Sequence, residues 1–139
     1  MKILFADDNY LSREIAKSLE KENESYTIAS NGKKALSAID QGINNGDHFD
    51  LIFLFDILKG MEGATTLKEI RELEEKHRVS LTESSVITMF TTHNEESFFL
   101  STLYADCDYF LQLPVNRLKL AMIMETTKND MALKLPKSA

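Results

Sequence analysis

One nearly continuous apolar run constrains the fold more than any other part of the chain. It reads Phe49-Asp50-Leu51-Ile52-Phe53-Leu54-Phe55 and is short and rich in aromatic residues. This composition is typical of a strand buried on both faces, as the central strand of a parallel sheet is. A loop with two glycines follows, and then a helical pattern begins. Because ligands of open α/β sheets bind beyond the carboxyl ends of such strands, we expect the function to depend on the residues that end this run.

Composition narrows the class of protein. The chain has 139 residues, 43% of them hydrophobic, which suits one domain with its own core. The net charge of −6 argues against nucleic acid as a direct partner. The single cysteine, Cys107, excludes an internal disulfide. No apolar run approaches the roughly 20 residues of a membrane helix, so we expect a cytoplasmic protein that does not contact a membrane.

Hydrophobic periodicity predicts five strands that alternate with five helices. We place the strands over 2–6, 26–29, 49–55, 86–90 and 107–113. We place the helices over 11–21, 32–40, 64–77, 94–104 and 115–127, with the charged outer face of the third helix in solvent. This alternation is typical of an α/β fold with a doubly wound parallel sheet. We expect one domain over 1–130 and a C-terminal tail over 131–139.

Several motifs resemble the receiver domain of two-component response regulators, especially the receivers of hybrid histidine kinases. They are Ile3-Leu4-Phe5-Ala6-Asp7-Asp8-Asn9, Ala29-Ser30-Asn31-Gly32, Phe49-Asp50-Leu51-Ile52, Met61-Glu62-Gly63 and Pro114-Val115. The resemblance covers residues 2 to 127. It implies a flavodoxin-like (βα)5 fold with strand order 2-1-3-4-5. It also implies a signalling role without enzymatic activity of its own.

The resemblance implies a phosphorylation site whose residues are largely replaced. Receivers accept a phosphoryl group on an aspartate that ends the third strand, and counting from the motifs on either side puts Phe55 at that position. The threonine or serine of the fourth strand corresponds to Phe90, and the lysine before the proline corresponds to Leu113. We therefore expect these three apolar side chains to close the pocket, since Phe55 offers no nucleophile.

The acidic pair of the family remains as Asp7 and Asp8. In receivers this pair holds Mg²⁺, which prefers several oxygen ligands. With the third carboxylate replaced at position 55, we expect no cofactor here or only weakly bound Mg²⁺. A structural role for the pair is the simpler interpretation, with Asp7 as a candidate cap of the first helix.

These replacements predict a pseudo-receiver, which cannot be phosphorylated and acts by binding another protein. The expected partner is a histidine kinase or another signalling protein. The alternative is an active receiver phosphorylated on Asp56, with Mg²⁺ on Asp7 and Asp8. That alternative requires a bulge, since neighbouring strand residues point to opposite faces. A flavodoxin-like protein that binds a small molecule is disfavoured, because the acidic pair would repel a phosphate.

The predicted fourth helix suggests where a partner binds. Phe98, Phe99 and Leu100 are consecutive and spread over about 200° of a helix, so they cannot all face one core. In receivers the face made by the fourth helix, fifth strand and fifth helix docks partners or forms homodimers. A wide buried face is the alternative for the same residues. The candidate interaction surface is Phe98, Phe99, Leu103, Tyr104 and Tyr109.

Overall fold

The computed structural model describes residues 1–7, 9–22, 24–58, 61–91 and 106–134, without the side chains of 57–58, 61–62 and 131–134. The helices are α1 Tyr10–Lys21, α2 Gly32–Asn44, α3 Gly63–Lys76 and α4 Arg117–Lys134. The strands are β1 Lys2–Phe5, β2 Ser25–Ile28, β3 Leu51–Phe55, β4 Ile57–Leu58, β5 Met61–Glu62, β6 Val86–Thr91 and β7 Tyr109–Gln112. The helix predicted over 94–104 lies outside the described residues.

Five of the strands form one parallel sheet in the order β2-β1-β3-β6-β7. This is the predicted order, so the flavodoxin-like fold is confirmed. All five residues of β3 are buried, as the composition of the apolar run predicted. A parallel sheet covered on both faces requires such a strand at its centre.

Local signals explain where the first two helices begin. Asn9 precedes α1 and its Oδ1 accepts a hydrogen bond from the backbone N–H of Ser12 at 2.8 Å. Asn31 caps α2 in the same way, through the N–H of Lys34 at 2.9 Å. Asparagine favours this position because its side chain satisfies a free helical N–H group. The prediction that Asp7 caps α1 is therefore wrong, since the helix begins one residue after Asn9.

Other boundaries differ from the prediction in detail. The loop after β3 contains the short antiparallel pair of β4 and β5, which the two glycines did not suggest. The last helix continues to Lys134 rather than ending near 127, and the last strand begins at Tyr109 rather than 107. None of the helices in the described ranges is long and apolar enough to cross a membrane.

The charge pattern predicted that the outer face of α3 lies in solvent, but part of this face is buried. Glu74 is buried, and its Oε2 accepts a hydrogen bond from the backbone N–H of Ser85 at 2.8 Å. The guanidinium of Arg71 donates to Glu74 Oε1 at 2.7 Å and to Asp108 Oδ2 at 2.9 Å. Arg71 is half-buried beside the buried Glu74, and together they connect α3 to the start of β6 and to the segment before β7.

Candidate functional site

The carboxyl ends of β3 and β6 place two polar side chains next to each other. Phe55 pairs with Phe90 in the parallel register, and the N–H of Asp56 donates to the carbonyl of Phe90 at 2.9 Å. Asp56 therefore lies beside Thr91. The hydroxyl Oγ1 of Thr91 donates a hydrogen bond to Asp56 Oδ2 at 2.9 Å. Asp56 is 8% exposed and Thr91 is fully buried, so this is a protected carboxylate–hydroxyl pair.

The residues before this pair belong to a row of stacked aromatic rings. Ring centres lie 5.0 Å apart between Phe5 and Phe53, 5.4 Å between Phe53 and Phe90, and 4.8 Å between Phe90 and Phe55. Stacked rings at these spacings attract each other in addition to the area they bury. Phe55 and Phe90 are thus core residues of the sheet.

Helix α3 begins against the backbone of Asp56. The N–H of Gly63 donates to the carbonyl of Asp56 at 3.0 Å. A Cβ atom at position 63 would lie 2.1 Å from the carbonyl oxygen of Phe55 and 2.8 Å from the Cα of Asp56. Only glycine permits this approach. The start of α3 therefore holds in place the backbone that carries the Asp56 side chain.

Leu113 lies at the end of the neighbouring strand. Its N–H donates to the carbonyl of Thr91 at 2.8 Å, and a cis peptide bond joins it to Pro114. The Leu113 side chain is partly buried against the core. An apolar group thus occupies the position where the resemblance implies a lysine.

The acidic pair is described only in part. Asp7 is half-buried and lies just beyond β1, where the N–H of Ala6 donates to the carbonyl of Phe53 at 3.0 Å. Asp8 lies outside the described residues. Carboxylates such as Asp7 and Asp56 are the oxygen ligands that Mg²⁺ prefers, together with water. Within the described ranges, no group of three or more His, Cys, Asp or Glu residues is arranged to hold a metal ion.

Most of the predicted interaction surface lies outside the described residues, namely Phe98, Phe99, Leu103 and Tyr104. Tyr109 begins β7 and is half-buried. Burial raises the pKa of the Tyr109 phenol, and the carboxylates of Asp130 and Asp108 raise this pKa further. Whether Tyr109 contributes to an interface stays a prediction.

Thr91 is the residue that the sequence analysis missed. Counting against the family motif placed the hydroxyl position at Phe90, one residue earlier. The available signal was the common offset of the two strands, since Asp56 follows Phe55 just as Thr91 follows Phe90. Because the two strands pair in register, a shift of one residue in both keeps a carboxylate beside a hydroxyl. The pairing from Leu51 to Phe55 is one to one, without the bulge that use of Asp56 was expected to require.

Known proteins of similar sequence are signalling proteins. A hybrid signal transduction histidine kinase K of Dictyostelium discoideum is 33% identical over 79 residues, which are 56% of this chain and 6% of that protein. The osmosensing histidine protein kinase SLN1 of Saccharomyces cerevisiae is 26% identical over 126 residues, which are 89% of this chain and 10% of that protein. The chain thus spans a tenth or less of the length of these relatives.

Solved structures and a family model agree with these similarities. A two-component response regulator of Clostridium difficile superposes with a TM-score of 0.74 at 28% identity, covering 94% of this chain and 98% of that one. The receiver domain of Ssk1 from Saccharomyces cerevisiae, in a co-crystal structure with Ypd1, gives a TM-score of 0.72 at 22% identity, with coverages of 99% and 93%. The response regulator receiver domain model matches residues 3–125. The resemblance is confirmed, and the chain belongs to the response regulator receiver domain family.

Proposed function

We propose that this receiver domain accepts a phosphoryl group on Asp56 from a phosphohistidine of a partner protein. The observation that carries the proposal is the hydrogen bond from Thr91 Oγ1 to Asp56 Oδ2 at the carboxyl ends of two paired strands. Asp56, directly after β3, supplies a carboxylate oxygen at this edge of the sheet, and the Thr91 hydroxyl at the end of β6 is beside it. The edge is also where the chemistry of open α/β sheets is expected.

The transfer needs an oxygen nucleophile and a means of offsetting charge. A carboxylate oxygen of Asp56 forms a bond to phosphorus while the bond between phosphorus and the histidine nitrogen breaks. The imidazole leaves with the electron pair and is then protonated. The Thr91 hydroxyl is close enough to Asp56 to donate to an oxygen of the incoming phosphoryl group. When bound, Mg²⁺ would offset the charge on the phosphoryl oxygens, and Asp7 and Asp56 are the described residues that would hold it.

The proposed partner is a histidine-containing phosphotransfer protein or the kinase domain of a histidine kinase. Both curated relatives are histidine kinases. The Ssk1 receiver, which shares the fold of this chain, was crystallised with the histidine phosphotransfer signalling protein Ypd1. These similarities support a place for the chain in two-component signalling between a histidine donor and an aspartate acceptor.

A second candidate is the pseudo-receiver that binds its partner without being phosphorylated. Two observations favour it. Leu113 brings an apolar side chain to the end of the strand that neighbours Thr91, so this position contributes no cation to balance a phosphoryl group. Phe55 and Phe90, which occupy the acceptor and hydroxyl positions by motif counting, are stacked in the core.

Intact-protein mass spectrometry separates the two candidates. The protein is incubated with Mg²⁺ and acetyl phosphate beside a conventional receiver as a positive control. Phosphorylation on Asp56 predicts one added phosphoryl group, lost in Asp56→Asn and retained in Asp47→Asn, which changes an exposed aspartate. If the wild-type protein stays unmodified while the control is labelled, the first proposal is overturned. Binding to a phosphotransfer protein that is equally strong with and without phosphodonor would then support the pseudo-receiver.

A further inference from the structure

We propose that the groove between α2 and α3 is a docking surface for a cationic amphipathic helix of a partner protein. This groove is separate from the Asp56 site and is not used in the function proposed above. It has a volume of about 450 Å³. Its lining residues are Leu36, Ser37 and Asp40 of α2 and Glu69, Glu72, Leu73 and Lys76 of α3.

The floor of the groove is apolar. Leu36 and Leu73 are partly buried and pack against the edge of the core from the two helices. Their exposed parts face the groove rather than the sheet. Two leucines on adjacent helices form the kind of shallow apolar surface that accepts the apolar face of a helix.

The rim of the groove is acidic. Three carboxylates line it, from Asp40, Glu69 and Glu72, against the single ammonium group of Lys76. Glu69, Glu72 and Lys76 are spaced by three and four residues, so they follow one side of α3. An apolar floor with carboxylates along its rim is complementary to a helix that has an apolar stripe flanked by lysine or arginine.

A hydrogen bond between α2 and α3 holds the two sides of the groove together. His77 Nε2 and Asp40 Oδ1 lie 3.0 Å apart and connect the end of α3 to α2. The groove is therefore formed before a partner arrives, which lowers the entropy cost of binding.

The groove is separated from the Asp56 site along α3. Gly63, which contacts Asp56, begins α3, whereas Leu73 lies ten residues further along the helix. At 1.5 Å per residue this separation is about 15 Å. The floor of the groove at Leu73 and the Asp56 site therefore lie at different places along α3, and each is tested by its own variants.

The test uses a pair of synthetic peptides and nuclear magnetic resonance. One fluorescently labelled helix carries leucines on one face and arginines beside them, and its counterpart carries glutamates in place of the arginines. We expect the arginine peptide to bind, to shift the amide signals of Leu36 and Leu73, and to bind less tightly as salt is added. The glutamate peptide should not bind.

Paired variants show whether the groove itself is responsible. Glu69→Gln with Glu72→Gln should weaken binding by about 2- to 30-fold, since it removes two exposed ion pairs. The matched control is Glu75→Gln with Glu83→Gln, which removes the same charge from exposed positions outside the groove. Equal weakening by both pairs would overturn the proposal, because it would show attraction by net charge alone. Absence of shifts at Leu36 and Leu73 up to millimolar peptide would overturn it as well.

Discussion

The two ends of the parallel sheet use polar side chains in opposite ways. At the amino-terminal end, the residue just before each of four strands is polar and is bonded to a neighbouring element. These residues are Glu24, Asp50, Ser85 and Asp108. At the carboxyl-terminal end, small or apolar residues follow three strands, namely Ala6, Ala29 and Leu113. Polar side chains at the carboxyl ends of β1, β3 and β6 include those of Asp7, Asp56 and Thr91.

The partners at the amino-terminal end are mostly backbone groups. Asp50 Oδ2 accepts from the N–H of Lys2 at 2.7 Å, and Asp108 Oδ2 accepts from the N–H of Ile87 at 2.8 Å. The hydroxyl of Ser85 donates to the carbonyl of Phe49 at 2.6 Å. These bonds satisfy buried backbone groups at the strand starts. Polar side chains at the amino-terminal end thus bond mainly to the backbone, whereas at the carboxyl-terminal end the Asp56 and Thr91 side chains bond to each other.

Replacing Arg71 should have the largest effect at the amino-terminal end. Arg71→Ala removes the bonds to Glu74, to Asp108 and to the carbonyls of Ser85 and Asp106. The buried carboxylate of Glu74 then loses its cation. We expect the free energy of unfolding to fall by about 3 kcal/mol, near the lower end of the cost of breaking a buried ion pair. Urea denaturation followed by circular dichroism measures this change.

The matched control for Arg71 is an ion pair of the same spacing in solvent. Lys17 and Glu14 are also three residues apart on a helix, with 70% of the Lys17 side chain exposed. Lys17→Ala should lower the free energy of unfolding by no more than about 0.5 kcal/mol. If Arg71→Ala and Lys17→Ala lower the free energy of unfolding equally, the bonds of Arg71 at the amino-terminal end do not stabilise the protein more than an exposed ion pair does.

Thr91→Val tests the carboxyl-terminal end. The change keeps the shape of the side chain but removes the hydroxyl that donates to Asp56. Hydrogen bonds to charged groups contribute about 1.5–3 kcal/mol, so we expect a loss in that range. In an Asp56→Asn background the loss should be smaller, because the acceptor is then neutral, and a double-mutant cycle by urea denaturation measures the difference. An equal loss in both backgrounds would contradict the assignment of this pair.

Thr88→Val makes the same chemical change as Thr91→Val on the same strand, but it should stabilise the protein rather than destabilise it. Thr88 is fully buried, and its Oγ1 has no hydrogen-bond partner among the described residues. Valine removes an unsatisfied polar atom from the core and suits a strand equally well. We expect the free energy of unfolding to rise by about 1 kcal/mol. Thermal denaturation measures this change. A lower melting temperature for Thr88→Val than for the wild type would mean that the Thr88 hydroxyl makes a stabilising hydrogen bond.

Features of the fold that depend on residues close together in the sequence could be predicted from it. The run from Phe49 to Phe55 predicted a central buried strand, and hydrophobic periodicity predicted that a helix begins at 32, because composition and periodicity are local signals. The order of the strands came from the family motifs. Each of these predictions is confirmed.

Contacts between distant residues could not be predicted in the same way. The neighbour of Asp56 is decided by the register of β3 and β6, and motif counting treats each strand separately. The burial of Glu74 was missed for a similar reason, since its partner Ser85 lies in another segment and a helical charge pattern does not reveal it. Whether the chain is phosphorylated on Asp56, or is a pseudo-receiver with Phe55 at the acceptor position, therefore stays a prediction for experiment.

The smallest predicted effect concerns Glu24 at the amino-terminal end and depends on pH. Burial alone would raise the pKa of Glu24, but the hydrogen bonds and positive charges of the Lys128 ammonium group and of the amino terminus at Met1 together outweigh it, so the pKa lies below its ordinary value of 4.5. The folded protein therefore favours the ionised carboxylate. The resulting stabilisation is present above the ordinary pKa and is lost as the pH falls through the lowered value.

The comparison of wild type with Glu24→Gln makes this effect measurable. Because 43% of the Lys128 side chain is exposed, solvent screens the pair and we expect a difference below about 1 kcal/mol near neutral pH. This difference in the free energy of unfolding should shrink towards zero in acid and in concentrated salt. A difference that does not change with pH would mean that Glu24 acts by packing alone. Glu24 would then differ from Asp50 and Asp108, the other two carboxylates that precede strands, which accept hydrogen bonds from backbone N–H groups.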